Sequence, residues 1–185
     1  MAAVCFAMLA SSASGQEVGN QFVQNVFGFA GVELDGLALP IGLEDNYLLG
    51  VGYQRAWGDW NSLLYGVEGG LAGRVSDKFS LEAWGGLFAR YNFNLDTVRI
   101  APAFTFGLSA ITDTMNGGES DNVAEFGGDA TLLFYLGPEI SFGLTEHPEY
   151  EVFARLHHRS GAWGTLGDMH GATDVLAIGF RSFIQ

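Results

Sequence analysis

Two residue types are nearly missing from this chain of 185 residues, which has one cysteine, Cys5, and one lysine, Lys78. A single cysteine excludes an internal disulfide framework and a zinc site built from cysteine pairs. Bases are scarce altogether, because Lys and Arg number 8 against 21 Asp and Glu, which gives a formal net charge of −13. Proteins that bind nucleic acid through its phosphates need the opposite balance, so we expect no nucleic-acid partner.

Charge of either sign is also sparse. Charged residues make up 16% of the chain, whereas 48% of the residues are hydrophobic, 14% are aromatic and 27 are glycine. Such an apolar content excludes a disordered chain. Surfaces that face water normally mix Lys, Arg, Glu and Asp, so this composition predicts a protein with little surface in contact with water.

The N-terminus resembles an export signal. An apolar run over residues 2–10 is followed by small residues, and Ala13-Ser14-Gly15 fits a small-x-small cleavage site. We therefore predict a signal peptide over residues 1–15, with its basic segment upstream of the printed start, and one domain over residues 16–185. The alternative is a buried N-terminal helix, since the run is too short to span a membrane.

The remaining chain alternates between apolar and polar or small residues with a period of two. No later segment offers 18 uninterrupted apolar residues, so we expect no transmembrane helix. The alternation instead predicts strands, with bulges or local kinks at Pro102 and Pro138, because proline lacks the amide donor of a ladder. We count eight strands, at roughly residues 20–33, 46–57, 63–75, 79–93, 98–112, 130–144, 149–160 and 174–184.

The composition of the two strand faces selects the type of barrel. One face is almost purely Leu, Val, Ile, Phe and Tyr, while the other combines Gly, Ala, Ser and Trp with Glu and Arg. A soluble calycin-like barrel would be apolar inside, and an outer-membrane barrel is the reverse. We predict an all-β fold, a closed eight-stranded antiparallel transmembrane barrel of the bacterial outer membrane. Its lumen should be filled by ion pairs among Glu68, Glu82, Glu139, Glu151, Arg74, Arg90, Arg99, Arg155 and Arg181.

The lengths of the connections between strands indicate which end of the barrel is periplasmic and which is external. The connections after strands two, four and six are short, as is typical of the periplasmic end, whereas residues 114–129 and 161–173 form long external loops. Residues 113–129 carry five acids and no base. These acids match no defined calcium loop, and we expect a solvated loop there; the alternative is weak binding of divalent cations among lipopolysaccharide phosphates.

Candidate chemistry lies at the external end of the seventh strand, where residues 150–161 read YEVFARLHHRSG. Alternation points His157 into the lumen, as part of the interior network, and His158 and Ser160 outward. Residues i and i+2 of a strand are about 7 Å apart, a gap that an imidazole can bridge to a hydroxyl. Asp174 falls on the same outer face at the start of the last strand. The three residues form a Ser-His-acid constellation of the kind that activates a hydroxyl nucleophile.

The segment from Arg155 to Ser160, with its His-x-Ser step, together with Gly171 and the closing strand, resembles the PagL-like lipid A 3-O-deacylase family. The resemblance implies an outer-membrane esterase that removes the ester-linked 3-O-acyl chain from lipid A. It implies that His158 is the base, Ser160 the nucleophile and Asp174 the acid, where the family typically has Glu; Asp168 is the alternative acid. The family usually has Asn after the serine, and here Gly161 stands there.

Because Gly161 stands where the family usually has Asn, the backbone N–H of Gly161 or Ala162 would supply the hydrogen-bond donors for the oxyanion. The resemblance implies no metal and no cofactor, and lipid A or lipopolysaccharide of the outer leaflet as partner. Two alternatives remain: a non-catalytic small outer-membrane barrel with a structural or binding role, and a soluble secreted lipid-binding barrel.

Overall fold

A computed structural model describes residues 23–37 and 41–184, so the predicted signal peptide lies outside the described residues. Most of this part of the chain is strand, as the alternation predicts. The elements are β1 (Gln24–Leu34), β2 (Leu43–Trp60), β3 (Leu63–Val75), β4 (Phe79–Tyr91), β5 (Phe93–Asn94), β6 (Val98–Ile111), α1 (Gly118–Phe126), β7 (Leu132–Leu144), β8 (His147–Ser160) and β9 (Ala172–Ile184).

The strands close into one barrel. Each strand pairs antiparallel with its neighbour in the chain, and β1 pairs with both β2 and β9, which removes the open edges of the sheet. The short β5 continues β4, because both pair with β6 in one register. Together they form the fourth of eight barrel strands. The predicted closed eight-stranded antiparallel barrel is confirmed.

The two prolines within strands do not cause bulges, so that part of the prediction is wrong, and the alternative of local kinks stays a prediction. Pro102 lies where pairing between β6 and the fourth strand is interrupted, and Pro138 lies at a similar gap between β7 and β8. The register is the same on both sides of each gap. A missing N–H removes a ladder bond without adding a residue, so the strand continues. The register shifts lie elsewhere, between Val32 and Leu34, between Ala56 and Gly58, and between Phe142 and Leu144.

The outer wall is apolar and the lumen is polar, as predicted for a membrane barrel. Large aliphatic side chains stand outward, among them Ile178, which is 71% exposed, and Leu71, which is 63% exposed. Charged side chains point inward instead, and Arg155 is 1% exposed. The soluble calycin-like alternative is therefore wrong, because its lumen would have to be apolar.

The lumen is filled rather than open. An aromatic layer contains Phe27, Phe29, Trp84, Tyr135 and Phe153, and glycines of neighbouring strands make room for the rings. Charged groups lie on both sides of this layer and pair with one another, as predicted. Six arginines and six glutamates take part: Arg74, Arg90, Arg99, Arg155, Arg159, Arg181, Glu33, Glu68, Glu82, Glu119, Glu139 and Glu151.

The long acidic loop is folded rather than simply solvated. It contains α1, whose first turn carries Glu119 and Asp121. Glu119 turns into the mouth of the barrel and is buried, whereas Asp121 stays exposed. Val123 of the helix packs on a small apolar cluster that includes Met169 of the last external loop. The part of the chain that is described contains no helix long and apolar enough to cross a membrane.

Candidate active site

His158 and Asp174 meet on the outer wall of the barrel. They are directly opposite one another in the pairing of β8 with β9, and His158 Nδ1 lies 2.7 Å from Asp174 Oδ1. A carboxylate can only accept, so Nδ1 carries the proton and donates it. The Nε2 atom is then left as the free acceptor of the ring. The imidazole side chain is 22% exposed and the carboxylate 8%, so the carboxylate is shielded while the imidazole remains accessible.

Ser160 is the last residue of β8, two positions beyond His158 on the same face. It pairs with Ala172, the first residue of β9, so the two strands separate directly after it. Within residues 23–37 and 41–184, its Oγ forms one hydrogen bond, accepted from the Ala162 amide at 3.1 Å. No hydrogen bond joins Ser160 Oγ to His158 among these residues, so the structure brings Asp174, but not Ser160, into hydrogen-bond contact with the imidazole. Catalytic hydrogen bonds are often incomplete in the free enzyme and tighten when substrate binds.

A left-handed turn follows the serine. Ala162 and Trp163 have φ angles of 49° and 57°, and Gly164 continues with 84°. Residues other than glycine adopt this region at an energetic cost, and such conformations cluster at functional sites. In this turn the Ala162 N–H is directed at Ser160 Oγ. An amide donor thus stands beside the candidate nucleophile.

Gly161 is required by the conformation of this loop. A Cβ atom at this position would lie 2.1 Å from the Met169 carbonyl oxygen and 2.8 Å from that of Leu166. The Leu166 amide also donates to the Gly161 carbonyl oxygen at 3.0 Å. Because the backbone of the loop closes over residue 161, this loop has no space for an Asn side chain there.

The other candidates lie apart from this group. His157 points into the lumen as predicted, where its Nε2 lies 2.6 Å from Glu82 Oε1. Asp168, the alternative acid, has an 82% exposed side chain, and its ion-pair partner among the described residues is His170 at 3.9 Å. The structure therefore places Asp174 beside His158 and keeps Asp168 in the external loop.

Apolar side chains flank the group on the outer wall. Leu136 of β7 lies opposite His158, and Phe134 lies opposite Ser160. The Phe134 ring stacks on Phe106 of β6, with centroids 6.0 Å apart. A hydrocarbon chain lying along this wall would contact these side chains while its polar end reached the rim.

Sequence reasoning missed two features near the site. The turn through Ala162 and Trp163 carries no signal, because neither residue favours a positive φ. The helix α1 has one usable signal, a Gly117-Gly118 pair followed by acids in the first turn, which is typical of a helix start. Its apolar pattern is weak, so no periodicity supports it.

No protein-family profile matches the sequence, and no curated protein sequence matches it. Among solved structures, a de novo designed transmembrane β-barrel is similar with a TM-score of 0.51 and 13% identity, covering 88% of this chain and 95% of that one. Neisserial surface protein A (NspA) is similar with a TM-score of 0.50 and 13% identity, covering 87% and 95%. The outer-membrane enzyme PagL has a TM-score of 0.49 and 15% identity, covering 89% and 100%.

At these identities the similarity shows the fold alone, so membership in the lipid A 3-O-deacylase family stays a prediction. The fold shared with these barrels agrees with the apolar outer wall and the charged, filled lumen. Together these observations make the chain an integral β-barrel of the bacterial outer membrane.

Proposed function

We propose that this barrel is an ester hydrolase that acts on lipid A in the outer leaflet, with Ser160 as nucleophile, His158 as base and Asp174 as acid. The observation that carries the proposal is the 2.7 Å contact of His158 with Asp174 on a wall that otherwise faces lipid. Polar groups that face lipid are costly, so they are retained for a function more often than by chance. Within residues 23–37 and 41–184, neither His158 nor Asp174 forms a hydrogen bond to any other side chain.

The first chemical step forms an acyl-enzyme. His158 Nε2 takes the hydroxyl proton of Ser160 as Oγ attacks the carbonyl carbon of the ester. Asp174 keeps the imidazole in the required tautomer and stabilises its charged form through Nδ1. The tetrahedral intermediate then collapses, the C–O bond to the sugar breaks, and the imidazolium gives its proton to the departing sugar hydroxyl.

The second step releases the fatty acid. A water molecule loses its proton to His158 and attacks the acyl carbon, and the proton returns to Ser160 Oγ as the acyl–serine bond breaks. Both tetrahedral intermediates carry a negative oxygen that needs hydrogen-bond donors. The Ala162 N–H, 3.1 Å from Ser160 Oγ, and the N–H of Gly161 are the donors that we assign to it.

The position of the group at the external rim favours a lipid of the outer leaflet as substrate. Ser160 ends its strand at the boundary between the apolar wall and the external loops, where the ester bonds of a glycolipid would lie. The resemblance of residues 155–160 to lipid A 3-O-deacylases narrows the choice to the 3-O-acyl chain of lipid A. Acyl carbons would pass along Phe134 and Leu136, and the sugar would face the loops.

The test is to express the protein in the outer membrane of a Gram-negative host whose lipid A keeps its 3-O-acyl chain, and to measure lipid A by mass spectrometry. We expect the loss of one hydroxyacyl chain with the native protein and no loss with Ser160→Ala. Ser182→Ala is the matched control, because Ser182 faces outward at the opposite end of β9; this variant should deacylate normally.

The same proteins, purified and mixed with lipid A in detergent micelles, should release free fatty acid with the same pattern. Folding is checked by the shift in gel mobility between heated and unheated barrels. A folded native protein that leaves lipid A intact in both assays would overturn the proposal in favour of a non-catalytic barrel.

A further inference from the structure

The luminal face directly behind the candidate site is held by one ion cluster. Arg159 and Thr173 are paired across β8 and β9, between the His158–Asp174 pair and the final Ser160–Ala172 pair. Side chains alternate along a strand, so these two point into the lumen while their neighbours point outward. Arg159 and Thr173 are both buried. Interactions that hold these two side chains therefore also restrain the ends of β8 and β9, which carry the candidate site.

Glu119 of α1 makes contact with both of these residues. Its Oε1 accepts hydrogen bonds from Arg159 Nη1 and, at 3.3 Å, from Thr173 Oγ1. Its Oε2 accepts from Arg74 Nη1 at 3.2 Å and from the Met115 amide at 3.2 Å. The residue is 1% exposed, although its helix belongs to the external loop. One carboxylate thus joins this loop to both strands at the level of the site.

Arg159 has further partners that hold it in the same place. Its Nε donates to Ser109 Oγ at 2.9 Å and its Nη2 donates to the Ala130 carbonyl oxygen at 2.8 Å. Its guanidinium therefore bridges β6, the end of the long loop and α1. Among the described residues, Glu119 is the one hydrogen-bond partner of the Thr173 side chain, so it connects β9 to this cluster.

We propose that Glu119 is a positioning residue, which keeps the ends of β8 and β9 in register so that His158 stays opposite Asp174 and Ser160 stays next to them on the same face. This inference rests on the proposed function. Ser160 and Ala172 are the last paired residues before the loop of residues 161–171, and terminal pairs open more readily than central ones. Glu119 holds the adjacent pair from the luminal side and opposes that opening.

The kinetic test compares Glu119→Gln with Asp121→Asn in the micelle assay. Both substitutions remove one negative charge from the same helix, but Asp121 is exposed, and its side chain forms no hydrogen bond or salt bridge to a strand within the described residues. A misplacement of about 1 Å can cost about 100-fold in rate, so we expect kcat to fall about 10- to 100-fold for Glu119→Gln. KM should change less than kcat, because the outer wall that binds the acyl chain is untouched. Asp121→Asn should match the native protein.

A second readout does not depend on turnover. The His158 Nδ1 proton, hydrogen-bonded to Asp174, should give a downfield NMR signal in a lipid nanodisc. This signal should broaden or move in Glu119→Gln, and the amides of Arg159 and Thr173 should exchange faster with solvent. Thr173→Val removes only the β9 contact with Glu119 and should show the same changes to a smaller extent, which keeps the test possible if Glu119→Gln does not fold.

The outcomes separate the two proposals. Native activity together with an unchanged kcat, NMR signal and exchange rate in folded Glu119→Gln and Thr173→Val would overturn the positioning role and leave the esterase intact. A native protein without activity, in which Glu119→Gln still moves the His158 signal, would overturn the esterase and support the structural coupling. Equal loss in Glu119→Gln and Asp121→Asn would also contradict the positioning role, since charge alone would then explain it.

Discussion

Adjacent residues of β8 point to opposite sides of the barrel wall. This difference in direction distinguishes His158, the candidate catalytic histidine, from His157, which has a structural role. His157 packs in the lumen against Glu82 and aromatic rings, and it belongs to the interior network. His158 faces lipid and has Asp174 as its hydrogen-bond partner. The alternation of a strand is enough to assign these opposite directions from sequence. It is not enough to say which acid stands beside the imidazole.

The identity of the acid can be tested by one substitution in each candidate. Asp174→Asn should lower kcat about 100- to 10,000-fold, because an amide no longer fixes the tautomer of the imidazole or stabilises its positive charge. Asp168→Asn should have no effect, since Asp168 lies exposed in the loop. Initial rates of fatty-acid release in micelles measure both. Equal rates in the two variants would contradict the assignment of Asp174.

Gly161 gives a second prediction at this scale. Gly161→Ala should reduce the deacylation rate at least about tenfold, because the new Cβ would push against the Met169 carbonyl oxygen and displace the turn that aims the Ala162 amide. Gly85→Ala is the control, since a Cβ there would lie 3.7 Å from its nearest neighbour, an ordinary contact. A Gly161→Ala variant with native rates would show that the loop relaxes freely.

At the scale of elements, strands and loops differ in how far the sequence predicts them. Each strand repeats a simple rule over about a dozen residues, so its existence and its inner and outer faces follow from local alternation. The external loops lack that rule. Helix α1 is stabilised because Glu119 forms salt bridges with two arginines in the barrel mouth and Val123 packs against an apolar cluster. Those partners come from distant parts of the chain, which local patterns do not show.

A charged side chain placed on the outer face of β9 tests whether that face contacts lipid. Ile178→Arg should lower the free energy of unfolding by about 2–4 kcal/mol, because Ile178 faces outward in the middle of the strand, where lipid is the solvent. Leu95→Arg is the control: it lies in a short connection at the barrel end, where the same change costs about 0–1 kcal/mol. Denaturant titration in lipid vesicles measures both.

An equal and small effect at Ile178 and Leu95 would contradict an outer wall that is immersed in lipid. It would instead agree with a wall that is covered by water or by another protein.

At the scale of the whole molecule, the charges divide between two compartments. Six of the eight bases lie in the lumen against six glutamates, so the lumen is formally balanced. The net charge of −13 therefore resides outside the lumen. Such a filled and paired interior agrees with a small barrel that stabilises itself by side-chain packing rather than one that conducts solutes.

The interior network predicts a large penalty for an unpaired charge. Arg155 donates to Glu68 at 2.6 Å and to Glu139 at 2.6 Å. Arg155→Met should therefore destabilise the barrel by about 3–5 kcal/mol. Glu68 then loses its ion-pair partner among the described residues, while Glu139 keeps Arg181. Lys78→Met, which removes the same charge from an exposed turn, should change stability very little. The free energy of unfolding is measured by denaturant titration.

The double variant Arg155→Met with Glu68→Gln should recover much of that loss, because the unpaired charge on Glu68 is then removed. A double variant less stable than Arg155→Met alone would contradict the explanation by unpaired charge.

The sequence by itself determined the number of strands, the polar lumen and the outward direction of His158 and Ser160. Each of these follows from a period of two and from the chemistry of the two faces, which are local properties. The tertiary structure decided that Asp174 stands opposite His158, that Glu119 returns to the strands behind them, and that residues 162–164 turn left-handed. Strand register and loop closure are set by pairing and burial between distant segments, so no local pattern contains them.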